Sequence, residues 1–202
     1  MNTHKKQSGF AMMEVIVTAA VIAIGVSGMG VLLLKSIQGT QDTAQQSQAM
    51  WIVEDFAGRI RSNSIGARAG HYEVNQQPDC SVKPAKICAD HRDKDDKLVK
   101  GEICDGGDHE VNEGQEMAIY DRWITACGLN PNIYSSPADF MANPQLNSTC
   151  IENSTRISTP TNNPDCIKYE IELTWETRIK KGAEAEADRV YENSYSTIVE
   201  VN

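Results

Sequence analysis

Glu14 is the residue whose chemistry is hardest to place. It stands immediately before Val15–Leu34, a run of 20 residues without a single charge. A carboxylate beside such a run is expensive in lipid unless something neutralises it. Six cysteines, Cys80, Cys88, Cys104, Cys127, Cys150 and Cys166, all lie in the later part of the chain. They are even in number and contain no Cys-x-x-Cys, so disulfides fit better than zinc or a thioredoxin-like redox pair. Acids cluster at Asp90–Asp96 and again at Asp105 and Asp108. Oxygen-rich loops suit calcium. This one lacks an EF-hand spacing, and Lys94 and Lys97 dilute its charge, so a solvated loop is expected and no metal. His71, His91 and His109 stand in no His-Glu-x-x-His motif, and there is no Gly-x-Ser-x-Gly, P-loop or Rossmann fingerprint. The residues therefore point away from an enzyme and imply no cofactor. Asn147 and Asn153 open Asn-x-Ser/Thr sequons and read as polar loop.

Those groups must be positioned by a chain of 202 residues, with 40% hydrophobic and 23% charged residues. These are values of a folded protein and exclude wholesale disorder. The net charge of −9 argues against nucleic acid as a partner, which needs clustered basic residues. The uncharged run is long enough to cross a bilayer core as a helix. An ordinary secretory signal has a shorter apolar core and a small-residue cleavage site beyond it. Here the small-residue triplets fall inside the run. Lys5 and Lys6 lie in a short polar segment before it and fit a leader retained in the cytoplasm.

Gly9-Phe10-Ala11-Met12-Met13-Glu14 resembles the processing site of type IV prepilins. The resemblance implies cleavage after Gly9 by the prepilin peptidase, which also N-methylates the new N-terminal Phe10. Glu14 then becomes the fifth residue. It would pair with the N-terminal amine of a neighbouring subunit in a filament. Ala11-Met12-Met13 departs from the family's more usual Thr-Leu-Ile, but stays apolar. The chemistry agrees. Gly9 lacks a side chain, so an extended backbone can approach a protease's catalytic groups. The freed amine of Phe10 is a cation for which Glu14 is the nearest counter-charge, and a charge pair removed from water fixes register. Val21–Gly30, followed by Leu34-Lys-Ser-Ile-Gln, is similar to the PilV family of minor pilins. That resemblance implies a role in pilus assembly or priming, and through it in twitching motility or adhesion. The implied partners are the prepilin peptidase, the major pilin and other minor pilins, the inner-membrane assembly platform and inner-membrane lipid. The implied location is a single pass in the bacterial inner membrane with the head in the periplasm, then the pilus.

Beyond Lys35, Ala49, Val53, Phe56 and Ile60 step by 4, 3 and 4 and mark one helical face. The long helix is expected to end between Ser62 and Gly70, where Ser, Asn and Gly gather. Between residues 64 and 108 only Tyr72–Val74 looks strand-like. A helix is expected from Asn112 to Cys127, stopped by Gly128 and Pro131, with Trp123 in the core. Residues 130–164 read as loop. Ile167, Tyr169, Ile171, Leu173 and Trp175 alternate with polar residues, the clearest strand of the chain, and Tyr195–Val201 is a second. The loop or turn at Lys180–Asp188 reads as exposed and charged. Six cysteines allow many pairings; links tying loops to the helix and sheet, such as Cys127 with Cys150, are favoured.

The fold class expected is α+β, a pilin fold: a long N-terminal transmembrane helix whose C-terminal half packs on a small antiparallel sheet, with disulfide-stapled loops. The expected divisions are a cleaved leader at 1–9, a transmembrane half-helix at 10–35, an amphipathic half-helix at 36–64 and a head at 65–202, with strands near 167–178 and 192–201. The alternatives are a minor pseudopilin of type II secretion and, from another class, a membrane-anchored periplasmic enzyme or binding protein.

Overall fold

The computed structural model describes residues 12–92, 95–104, 114–128, 141–155, 164–178 and 190–201. Its elements run α1 (Met12–Ser62), α2 (Ser64–Arg68), β1 (His91–Arg92), β2 (Leu98–Val99), α3 (Gln115–Cys127), β3 (Ala142–Asn153), β4 (Cys166–Arg178) and β5 (Val190–Glu200). By internal contacts the chain divides between Ala44 and Gln45.

Up to Ala44 the described structure is helix alone. From Gln45 onward the pattern changes, because apolar residues now repeat on one side only. Ala49, Ile52, Val53, Phe56, Ala57 and Ile60 are buried, the i, i+3, i+4, i+7 stripe of a helix lying on a core. Their cover is one face of a three-stranded antiparallel sheet in the order β3–β4–β5. On the central strand Tyr169, Ile171, Leu173 and Trp175 are buried while Glu170 is exposed, the period of two that a half-buried strand requires. Register lines up three rows across the sheet, Cys150–Tyr169–Val199, Ser148–Ile171–Thr197 and Leu146–Leu173–Tyr195. The helix stripe and the sheet share one apolar cluster with Tyr72, Val74 and Ala118. This is the α+β arrangement expected, with a long apolar N-terminal helix, small antiparallel sheets and disulfide-closed loops.

Three local expectations need correction. Residues 142–153 are strand β3, not loop. Its sequence is polar because only Leu146 and Ser148 of this strand are buried on the core side, so no alternation of large apolar residues marks it. Pairing holds it instead: β4 on one edge, a single bridge from Val74 to Ser148 on the other. The disulfide preference is also overturned. Cys127 pairs with Cys80, Cys150 with Cys166 and Cys88 with Cys104. Cys150 and Cys166 sit on adjacent strands near the paired residues Asn153 and Cys166, so β-pairing brings them together and leaves Cys127 to the segment before it. Finally, His91–Arg92 and Leu98–Val99 pair antiparallel as β1 with β2, inside the loop that Cys88–Cys104 closes. The Lys180–Asp188 reading, Asp105, Asp108, His109, Asn112 and Pro131 lie outside the described residues.

α3 begins at Gly114, whose φ of 78° is left-handed. A Cβ there would also stand 2.5 Å from the Asn63 side chain and 2.6 Å from the Gly66 amide. Backbone meets backbone where α2 crosses the start of α3, and Asn63 ties the two: its side chain donates to the Gly114 carbonyl at 2.7 Å and accepts from the Gly66 amide at 3.2 Å. We expect Gly114→Ala to cost about 2–4 kcal/mol from strain and displaced backbone. A drop in thermal midpoint by near-UV circular dichroism on the detergent-solubilised full chain checks this; an unchanged midpoint would show that the α2–α3 junction yields freely.

Candidate functional site

The N-terminal part of α1 is apolar around its whole circumference. Val15, Ile16, Val17, Val21, Ile22, Ile24, and on to Leu34, are all exposed. A helix apolar on every side belongs in lipid or inside a bundle of other helices. By length and composition it is able to cross a membrane. The hydroxyls inside the span do not spoil this. Thr18 donates to the Val15 carbonyl at 3.0 Å and Ser27 to the Ala23 carbonyl at 2.8 Å, so neither needs a partner from the surroundings. Glu14 lies in the first turn of α1, where the helix dipole favours an anion. Among the described residues it has no ion pair or hydrogen bond. Gly9, Phe10, Lys5 and Lys6 lie outside the described residues.

The head that begins at Gln45 is held by a polar node that sequence reasoning missed. Asp121 of α3 is 3% exposed. It accepts from the Tyr72 hydroxyl at 2.5 Å and from the Arg59 guanidinium at 3.0 Å. Arg59 also bonds Asp55 at 2.7 Å, and the Asn63 amide donates to Tyr72 at 3.1 Å. The node thus joins α1, the turn after α2, and α3. Burial pushes the Asp121 carboxyl up, against the opposing hydrogen bonds from Tyr72 and Arg59. Burial would lower Arg59, but its two carboxylate partners outweigh that and hold it above the usual value. Burial, then the Asp121 charge, raises the Tyr72 hydroxyl. The signal in the sequence was an acid at Asp121, three residues after buried Ala118 and four before buried Thr125, on the inward stripe of α3.

The remaining candidates are placed as follows. Every cysteine is in a disulfide. The Cys80–Cys127 bridge closes the longest loop, with a separation of 47 against 16 for each of the others. In the chain-entropy picture it contributes about 4 kcal/mol and the others about 3 each. In the acid-rich stretch around β1 and β2 Asp90 accepts from the Gly101 amide at 2.8 Å and Asp96 pairs with Arg92 at 3.1 Å. Among the described residues no group of three or more His, Cys, Asp and Glu is placed to hold a metal ion. Trp123 is buried at 3% exposure. With residues 73–79 and 82–84, Ile119 and Arg122 it lines an open groove of about 780 Å³.

Residues 31–123 match a family model described as Tt1218-like, type IV pilin Tt1218. No curated protein and no solved structure matches the chain. The matched stretch starts within the apolar span and runs through the back half of α1 and α2 into α3. The likeness supports a type IV pilin, and the long apolar helix is consistent with a membrane-anchored one.

His71 supplies the test of the head's acid response. Its Nε2 is buried without a hydrogen-bond partner, and burial, then the nearby Arg122 charge, lowers its pKa from 6.5. A histidine lowered in the folded state contributes stability that is whole above 6.5 and lost as pH falls through that value toward the folded one. Asp121 has the opposite sign. Raised from 3.8, it contributes stability below 3.8 that is lost as pH rises through its folded value. We therefore expect His71→Gln to flatten the fall in thermal midpoint between about pH 7 and 5; a wild-type slope in the variant would assign that fall to other groups. Asp121→Ala leaves the Tyr72 hydroxyl and Arg59 without an acceptor and should cost about 2–4 kcal/mol at neutral pH.

Proposed function

We propose that this chain is a minor type IV pilin of the PilV kind. The prepilin peptidase cuts it between Gly9 and Phe10 and methylates Phe10. The chain then waits in the inner membrane, single-pass, with its head in the periplasm, until the assembly platform feeds it into a pilus beside the major pilin and other minor pilins. There it takes part in assembly or priming, and so in twitching motility or adhesion. One observation carries this reading: Glu14, unpartnered among the described residues, opens a stretch of α1, as far as Leu34, that is apolar on all sides. A processed N-terminal amine on a neighbouring subunit is the cation that solves the Glu14 problem. Such a pair is costly to bury and returns specificity of register. The three disulfides support a head in an oxidising compartment.

Intact mass and N-terminal sequencing of the protein from its own host test the first step, with a chain starting at N-methylated Phe10 expected. Gly9→Val should block cleavage, since a β-branched side chain fills the space the peptidase needs; unchanged cleavage sinks the assignment. Glu14→Val should be cut normally and stay in the membrane, yet enter pili poorly. Normal incorporation would rule out the pairing. Deletion of the gene should abolish or reduce pili. Loss of protein secretion with intact pili would instead make the chain a pseudopilin.

A further inference from the structure

The back half of α1 has a second side. Trp51 is 76% exposed, one turn from residues that fill the core. Trp51, Glu54 and Gly58 follow at i, i+3 and i+7, so they share one outward stripe. Glu54 is exposed and has no ion pair among the described residues, whereas its neighbour Asp55 is held by Arg59. Gly58 is open: a Cβ there would meet nothing within 4 Å. The chain's own fold makes no use of that missing side chain, although a glycine in a helix interior costs about 1 kcal/mol against alanine. An indole, a free carboxylate and a bare patch of backbone side by side fit the close approach of another helix that brings a cation.

Trp51 lies seventeen residues past Leu34, more than four helical turns, well beyond the interfacial layer where tryptophans anchor. Another copy of α1 does supply what the face lacks. Lys35 is the one charged residue between Val15 and Gln41, and it too has no ion pair among the described residues. An ammonium over an indole face is attracted by the ring, more strongly where water is excluded.

We propose that Trp51, Glu54 and Gly58 form a docking face for α1 of a second copy of this chain, shifted along the helix axis so that its Lys35 sits over Trp51 and beside Glu54. This rests on the reading of the chain as a pilin that packs its helix against parallel neighbours. The stagger between the two copies is then set by a cation at one point of the helix and its receptor further along. Gly58 lets the backbones close up at that point.

Two full-length copies carrying different tags, one Val31→Cys and the other Ser47→Cys, each one turn before Lys35 and Trp51 and leaving both in place, are co-expressed in the native host to test the juxtaposition. A disulfide-linked dimer is expected with the mixed pair, and its loss when either copy carries the wild-type residue. Adding Gly58→Leu to the Ser47→Cys copy should abolish the link while leaving the thermal midpoint of that copy unchanged or higher. No link in the mixed pair, a link unaffected by Gly58→Leu, or a link from the Ser47→Cys copy to a different pilin each overturns the proposal. Processing at Phe10 and incorporation into filaments are followed in the same strain. Processed, incorporated chain without the link defeats the docking face alone; unprocessed chain defeats the pilin reading and the docking face with it.

Discussion

One helix in two surroundings is the constraint on which the rest depends. Up to Leu34 α1 exposes apolar side chains in every direction, and from Ala49 it hides them along a single stripe. The first pattern has no stable place in water. The second is stable only if a sheet covers it. β4 meets that demand, since Tyr169, Ile171, Leu173 and Trp175 give a continuous apolar strip with charged and polar residues behind it. β3 and β5 extend the strip sideways by pairing, with little apolar content of their own in β3.

The node at Asp121 performs a different task. Apolar packing alone tolerates sliding of one surface over another. A carboxylate held between the Arg59 guanidinium and the Tyr72 hydroxyl does not, because displacement would strand buried polar groups. The Tyr169 hydroxyl does the same for α2, donating to the Ala67 carbonyl at 2.6 Å. Packing supplies most of the head's stability and these few polar contacts select its alignment.

How much of this was legible depended on how local its cause was. The fold class was legible, because the helical stripe from Ala49 to Ile60 and the alternation from Ile167 to Trp175 are strong periodic signals within short windows. β3 was not, because its strand character comes from its neighbours and its own residues, Asn143 to Thr149, are those of a loop. The disulfide pairs were hidden for the same reason: the β3–β4 register selects Cys150 with Cys166. Asp121 finds Arg59 across 62 residues and Tyr72 across 49, too far for any spacing rule. Glu14 and the uncharged span stood out in the sequence because their oddity is one of composition. Trp51 gave no signal beyond being one more apolar residue on a helix, and only the structure separates it from the buried side.

None of the three disulfides includes a cysteine of α1 or β5. Consider the head under tension applied through α1. The contact of α1 with the sheet is a non-covalent apolar one. Once it parts, the chain could lengthen, yet Cys80–Cys127 removes a segment with a separation of 47 residues from the stretch. At about 3.4 Å per extended residue that forbids roughly 160 Å of lengthening. Cys150–Cys166 removes a further hairpin with a separation of 16. The bridges therefore limit how far the head can be drawn out rather than how hard it must be pulled.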